Sequence, residues 1–457
     1  MVNMVSKLWD ICDVAKGLRC YAPEMATLFF LKFTSQNADL LGVNISKLNS
    51  FDALVELYAN DTITQAEFLR HSSDIVIKAE MEQFKIAEHF SQFISTSADV
   101  KMIKRLLLMI RDLDFSDSPK KCMVADAFTA YLSNDTGWDG LSKSAISNAE
   151  LMACLAVHGS TKTIYDGACG YGISLAAATR KAPAAMVYGQ DVIQNCTMIS
   201  AIMQWLNFRK DFCLTAGNSV KNPLPGREGV PNKFDSVIID PPFGFRFEDE
   251  DIAVFPEELL SYKDLTQRRG DWFFVQHALA VLNDRGIAVV QASMGTLFAT
   301  GKAFEIRKTV IEQGHVKAII ELPAGMVPGS QIPVSLMVLG NANDYSEVVL
   351  VNAAAANAEH FFNRQGKTKC AMTPEGIREI ANIVNDGLSV EGISKVVSIS
   401  ELAEKNYILT PSAYLSIPEN AYTYSSIEEI TSEMARLESE LAATNSALSK
   451  ALSAICE

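Results

Sequence analysis

Ile239-Asp240-Pro241-Pro242-Phe243-Gly244 is the stretch on which the reading of this chain turns. It follows Val237-Ile238-Ile239, a short apolar run that reads as a buried parallel strand. Two consecutive prolines stop such a strand at once, because neither can donate to a ladder. The result is a stiff loop at the carboxyl end of a strand, where open α/β sheets hold their ligands. The loop offers a carboxylate, a proline carbonyl that no strand can claim, and an aromatic face. A flat heterocycle with an exocyclic amine suits that set. Asp240 and the Pro241 carbonyl accept from the amine, and Phe243 stacks on the ring.

Working outward from this loop, short apolar strands alternate with helices. The predicted strands are Thr163–Asp166, Met186–Gln190, Phe212–Thr215, Ser236–Asp240, Ile287–Ala292, Val316–Glu321 and Val334–Leu339, with Val348–Val351 as a further candidate. Gly and Pro punctuate the intervals, at Pro183, Pro223, Pro225, Gly226, Gly286 and Gly314. Such alternation predicts an α/β fold built on a doubly wound, Rossmann-like parallel sheet.

Three more strand ends carry ligand chemistry. Asp166-Gly167-Ala168-Cys169-Gly170-Tyr171-Gly172 lies between the first strand and a helix over Ser174–Thr179, and its glycines let backbone approach a ligand closely. A dinucleotide fingerprint would place Gly or Ala where Leu175 stands. Asp166 at the strand end suits an ammonium-bearing ligand better than a pyrophosphate. Asp191, ending Tyr188-Gly189-Gln190-Asp191, sits where doubly wound folds bind ribose hydroxyls. Asn218, in Ala216-Gly217-Asn218-Ser219, has an amide that fits an adenine edge, although a plain turn explains it nearly as well.

Residues 1 to about 132 read as helical, with apolar residues at helical spacing in Met25–Leu31 and Val100–Ile110. The cluster Lys101, Lys104, Arg105 reads first as a solvated helix face. Ser133–Gly140 is rich in turn formers and reads as a linker. A helix is expected from an N-cap at Ser147 or Asn148 to about Val157. Ala353–Ala356 and Pro374–Val384 read as helix-forming. The tail places Ile427, Ile430, Met434, Leu437, Leu441, Leu448 and Ile455 on one heptad seam, open either to an intermolecular helix pair or to its own domain.

The composition sets bounds. The 457 residues allow two or three domains, and a 48% hydrophobic content is ordinary for a globular protein. No apolar run is long enough for a bilayer, and the start Met1-Val2-Asn3-Met4-Val5-Ser6-Lys7 lacks a signal-peptide pattern. The nine cysteines form no C-x-x-C pair, so neither a zinc site nor a disulfide framework is indicated, and a cytoplasmic setting fits. A net charge of −14 argues against this chain alone gripping nucleic acid over a broad face, since phosphate contacts need Lys and Arg. No P-loop pattern is present.

The order of these motifs resembles the class I S-adenosylmethionine-dependent amino-methyltransferases of the N6-adenine DNA group. More closely, it is similar to the modification subunit of type I restriction–modification systems. Phe234–Gly244 resembles the catalytic stretch, Leu28–Phe33 the N-terminal helical signature, and Ile320–Met326 and Ile332–Leu339 the last strands of the catalytic domain. Asn406–Leu415 resembles the segment before the C-terminal helices. There are departures: Asp240 stands where the family usually has Asn, Asn218 where an acidic residue is usual, Ser147-Asn148 where Thr-Pro is usual, and Gly167 where a proline is usual.

The resemblance implies an all-α domain over 1–140, a methyltransferase domain over 141–345, its extension over 346–420, and a coiled-coil-like helix for subunit association over 421–457. It implies S-adenosylmethionine as cofactor, held by Asp166, Ala168, Gly170, Gly172, Asp191, Asn218 and Ser147. Asp240, Pro241, Pro242 and Phe243 would act on an adenine flipped from DNA. The implied partners are DNA, a specificity subunit, a restriction subunit and a second modification subunit, with no membrane. Two rival readings stand beside it: methylation of RNA or of a protein glutamine, and an assembly subunit with weakened activity.

Overall fold

The computed structural model describes the chain except residues 1–6, 8–10, 12–13, 16–17, 19, 98, 135–145, 220, 249, 251–254, 263–269, 328–329, 366–368, 416–426 and 457. Most of the expected linker, from residue 135 onward, therefore lies outside the described residues. Met1–Leu415 forms one compact unit and Ser416–Glu457 a second.

The first unit is organised on a nine-stranded sheet. Its strands are β1 (Thr163–Asp166), β2 (Met186–Asp191), β3 (Phe212–Ala216), β4 (Phe234–Ile239), β5 (Leu282–Ser293), β6 (Val316–Leu322), β7 (Val334–Leu339), β8 (Glu347–Asn352) and, after a small hairpin of β9 (Phe362–Gln365) and β10 (Lys369–Met372), β11 (Ser394–Ser398). The order is β11-β8-β6-β7-β5-β4-β1-β2-β3. All eight predicted strands are present. The sheet is not wholly parallel, however: β7 runs antiparallel between β5 and β6, and β11 pairs antiparallel with β8. β7 follows β6 too closely for a crossover helix, so it can only return beside it. Ala353–Ala356, expected to be helical, instead forms a turn leading into a 3-10 segment, Ala356–Phe361.

Strand alternation separates two cores. Ile164, Ile238, Val289 and Ile320 join one; Tyr165, Val237, Ile239, Val290 and Ile319 join the other. Residues of the helices Ile146–Ala156, Ile173–Lys181 and Gln194–Leu206 complete the first core, and those of Gly270–Ala280 and Lys302–Glu312 the second. A sheet covered on both faces explains why its strands read as continuous apolar runs.

The N-terminal helices pack onto this first layer. Phe30 meets Trp205 at 5.9 Å between ring centroids, and the Trp205 indole donates to Thr34 Oγ1 at 2.9 Å. Within Leu28–Phe33 every side chain is buried, Lys32 included. Burial pushes the Lys32 ammonium below its ordinary range, and Asp52 at 2.7 Å opposes that shift. The Arg111 carbonyl accepts a second bond at 2.5 Å, so this buried charge is both paired and hydrogen-bonded. In the basic cluster, Lys104 binds Asp61, whereas Lys101 and Arg105 are exposed.

The second unit holds a single 30-residue helix, Ile427–Cys456. On it Ile430, Met434, Leu437 and Leu441 are exposed. No helix among the described residues is long and apolar enough to cross a membrane.

Candidate active site

The chain winds outward through β1, β2 and β3, then returns to place β4 on the other side of β1. The gap between β1 and β4 is thus the switch point of the sheet, where the carboxyl ends of the strands open a crevice. Asp166 ends β1 and Asp240 follows β4, so two acids flank that gap.

Asp166 is buried and accepts the Ala168 N–H at 2.9 Å. Burial drives its carboxyl well above the usual range, and the charges of Asp240 and Asp191 push it the same way. Gly167 is pinned from below: a Cβ there would stand 2.8 Å from the Tyr165 hydroxyl. Gly172, at φ 76° and about to start the helix Ile173–Lys181, leaves no room either, because a Cβ would collide with Ser200 Oγ. Gly170, at φ 51°, has nothing within 4 Å of its missing Cβ, so this part of the loop faces open space. That combination gives a loop held from beneath and accessible from above.

The same loop reaches β2. Gly170 N–H donates to Asp191 Oδ2 and Ile193 N–H to Oδ1, each at 2.9 Å. Burial raises the Asp191 carboxyl, and these two donors pull it back. Beyond it, Val192 is 66% exposed and Ile193 38%, an apolar pair beside a carboxylate. Such a pair suits a ligand with an aromatic face and hydroxyls. Gly217 N–H donates to the Asp191 carbonyl at 2.8 Å, which brings the Asn218 loop alongside. There the Asn218 side-chain oxygen accepts from Lys221 N at 3.2 Å.

On the β4 side, Pro241 is buried, Pro242 exposed, and Phe243 half-buried against the first core. Gly244 turns the chain at φ 67°. Phe245 and Phe247 then anchor it by ring contacts at 4.9 Å to each other and 4.4 Å from Phe247 to Phe273. Asp240 itself is gripped from β5: Gln291 Nε2 donates to its Oδ1 at 2.5 Å. Asn148 Nδ2 in turn donates to Gln291 Oε1 at 3.0 Å.

The structure therefore gathers Asp166, Ala168, Gly170, Gly172, Asp191 and Asp240 along one edge, with Asn218 adjoining through Gly217. Ser147 is different. The helix starts at Ile146, so Ser147 and Asn148 lie inside its first turn and neither is the N-cap. Ser147 is buried there, and its neighbour Asn148 is the residue tied to the Asp240 loop. Gln291 was not foreseen from the sequence, although a polar amide inside the apolar run Ile287–Ala292 is itself a signal, since a buried amide needs partners. Val192 and Ile193 were also missed. So was the pair beneath Gly167, in which Tyr165 Oη and His277 Nε2 lie 3.0 Å apart.

The comparisons agree with this geometry. Residues 146–421 match the family of N-6 DNA methylases. The methylase subunit of type I restriction enzyme MpnII from Mycoplasma pneumoniae is 24% identical over 340 residues, covering 69% of this chain and 61% of that protein. The MjaVIII methylase subunit from Methanocaldococcus jannaschii is 26% identical over 339 residues, covering 69% and 57%. The chain thus spans less than two thirds of these curated relatives. A type I restriction–modification methyltransferase subunit from Streptococcus thermophilus superimposes with a TM-score of 0.75 at 20% identity, over 91% of this chain and 99% of that one. At that identity the likeness is one of fold.

Proposed function

The chain belongs to the N-6 DNA methylase family, and from that premise we propose that it methylates adenine N6 in DNA as the modification subunit of a type I restriction–modification complex. The observation that carries this reading is the pairing of Asp166 and Asp240 across the β1/β4 switch point, with Pro241-Pro242-Phe243 beside the second.

The residues fit S-adenosylmethionine. Three acids, Asp166, Asp191 and Asp240, converge where burial and mutual repulsion raise the Asp166 carboxyl, and a cationic ligand relieves that repulsion. Asp166 suits the ammonium end, Asp191 the ribose hydroxyls, and Val192 and Ile193 a purine face. Gly170 leaves room for the approach. Bound there, the cofactor would supply an electrophilic methyl group on a sulfonium.

The remaining chemistry belongs to the chain. Adenine N6 is a poor nucleophile because its lone pair is delocalised into the ring. Asp240 and the Pro241 carbonyl accept its two hydrogens and favour a tetrahedral, electron-rich nitrogen aligned for attack. Asp240 is also placed to take the departing proton. A base inside a duplex cannot reach this loop, so it must be flipped out, at a cost of a few kcal/mol. Stacking on Phe243 returns about 1–3 kcal/mol of it. With a net charge of −14, the chain relies on partners for much of its grip on the phosphates: a specificity subunit, a second modification subunit and a restriction subunit.

The test is transfer of labelled methyl groups from S-adenosylmethionine to duplex DNA by the chain co-purified with its partner subunits, followed by identification of the modified base. Label in N6-methyladenine supports the reading. Label in RNA or in protein glutamine, or no binding of S-adenosylmethionine by calorimetry, overturns it.

A further inference from the structure

The hydrogen-bond chain Asn148–Gln291–Asp240 has a direction. A carboxylate holds only acceptors, so the end of the Gln291 amide that meets Asp240 Oδ1 at 2.5 Å is its NH2. Gln291 Oε1 then faces Asn148, whose own NH2 meets it at 3.0 Å. Asn148 Oδ1 is left buried and makes no hydrogen bond within the protein. Asn148 is 1% exposed and Gln291 2%, so solvent cannot rescue a reversed amide. Reversal would bring an acceptor onto Asp240, which costs more than the single unmatched oxygen at Asn148.

From this direction we infer that Gln291 and Asn148 are positioning residues that fix the polarity of the target pocket. Because Gln291 always presents a donor to position 240, that residue must accept from Gln291 and accept again from the target. Only a carboxylate has an acceptor at both oxygens. An amide of the same size would turn its oxygen to Gln291 and its NH2 to the target, setting donor against donor. The pocket therefore takes an exocyclic amine and refuses a carbonyl oxygen, and Asp240 and Asn are not interchangeable in this chain. The inference rests on the reading of Asp240 as the residue that holds the target amine.

The test uses three variants of the chain within its co-purified complex. Asp240→Asn is expected to lower kcat for methyl transfer about a hundredfold, the scale of a lost transition-state hydrogen bond. The double variant Asp240→Asn with Gln291→Glu should recover at least about tenfold of that loss, because the introduced carboxylate would accept from both neighbours and turn the amide oxygen at 240 back to the target. An Asp240→Asn activity within about threefold of wild type, or a double variant no better than the single one, overturns the inference. Thermal unfolding near about pH 8 judges polarity without catalysis. Gln291→Glu alone sets two carboxylates against each other and should lower Tm, and adding Asp240→Asn should raise it again. Additive Tm changes overturn the inference even if the wild-type complex transfers no methyl group, a result that would separately remove the functional reading.

Discussion

The Tyr165 hydroxyl and His277 Nε2 lie 3.0 Å apart, fully enclosed beneath the glycine loop that follows β1. His277 Nδ1 is 3.0 Å from the Leu259 carbonyl. A carbonyl only accepts, so Nδ1 carries the hydrogen and Nε2 accepts from the tyrosine. The pair thus links the loop after β1 to the segment that follows the Asp240 loop.

This arrangement needs a neutral imidazole. Burial pushes His277 down from the ordinary histidine value to about 4. Between those values the unfolded chain binds a proton that the folded protein refuses. Stability is therefore full above about pH 6.5 and falls as pH drops towards 4, by roughly 3 kcal/mol from this group. Denaturant unfolding across that window should show the slope, and Tyr165→Phe should cost about 1–3 kcal/mol by leaving Nε2 buried without its donor.

Gly167 is constrained by the same hydroxyl. Gly167→Ala would place a Cβ 2.8 Å from Tyr165 Oη, and the next atom, Cζ, is at 3.3 Å. A loss of about 1–3 kcal/mol is expected from this overpacking. In the double variant with Tyr165→Phe the closest contact disappears, so the two losses should be less than additive in denaturant unfolding.

Asp166 gives the opposite pH dependence. Its raised carboxyl favours the neutral form, so stability from this group is present below the ordinary carboxylate range and is lost as pH rises through the raised value. A cationic ligand favours the ionised form and expels the proton. S-adenosylmethionine affinity should then increase with pH, and calorimetry in buffers of different ionisation enthalpy should register proton release. Affinity independent of pH would contradict the placement of the ammonium at Asp166.

Asp240→Ala should abolish methyl transfer while S-adenosylmethionine still binds, since the strand ends that hold the cofactor are untouched. Retained turnover with lost cofactor affinity would invert the assignment of the two sides of the crevice.

The exposed row Ile430, Met434, Leu437 and Leu441 belongs to a unit separate from Met1–Leu415. A chain ending at Leu415 should fold and bind S-adenosylmethionine but fail to retain its partner subunits on a sizing column. Unchanged assembly would remove the proposed role of this helix.

The sequence by itself determined the succession of strands and helices, because a sheet buried on both faces demands unbroken apolar runs and the prolines after Ile239 can only end one. It also marked Asp166, Asp191 and Asp240, since acids at apolar strand ends stand out. It carried no sign of the antiparallel turn of β7 or of β11, because pairing direction depends on connections and partners rather than on local pattern. Only the tertiary structure joined Asn148, Gln291 and Asp240, residues 143 and 51 positions apart in the paired steps. It alone showed that Ser147 is a helix residue and that Tyr165 and His277 support Gly167. Those relations arise where strands from distant parts of the chain lie side by side, and hydrogen-bond direction is settled only when every buried donor has found its acceptor.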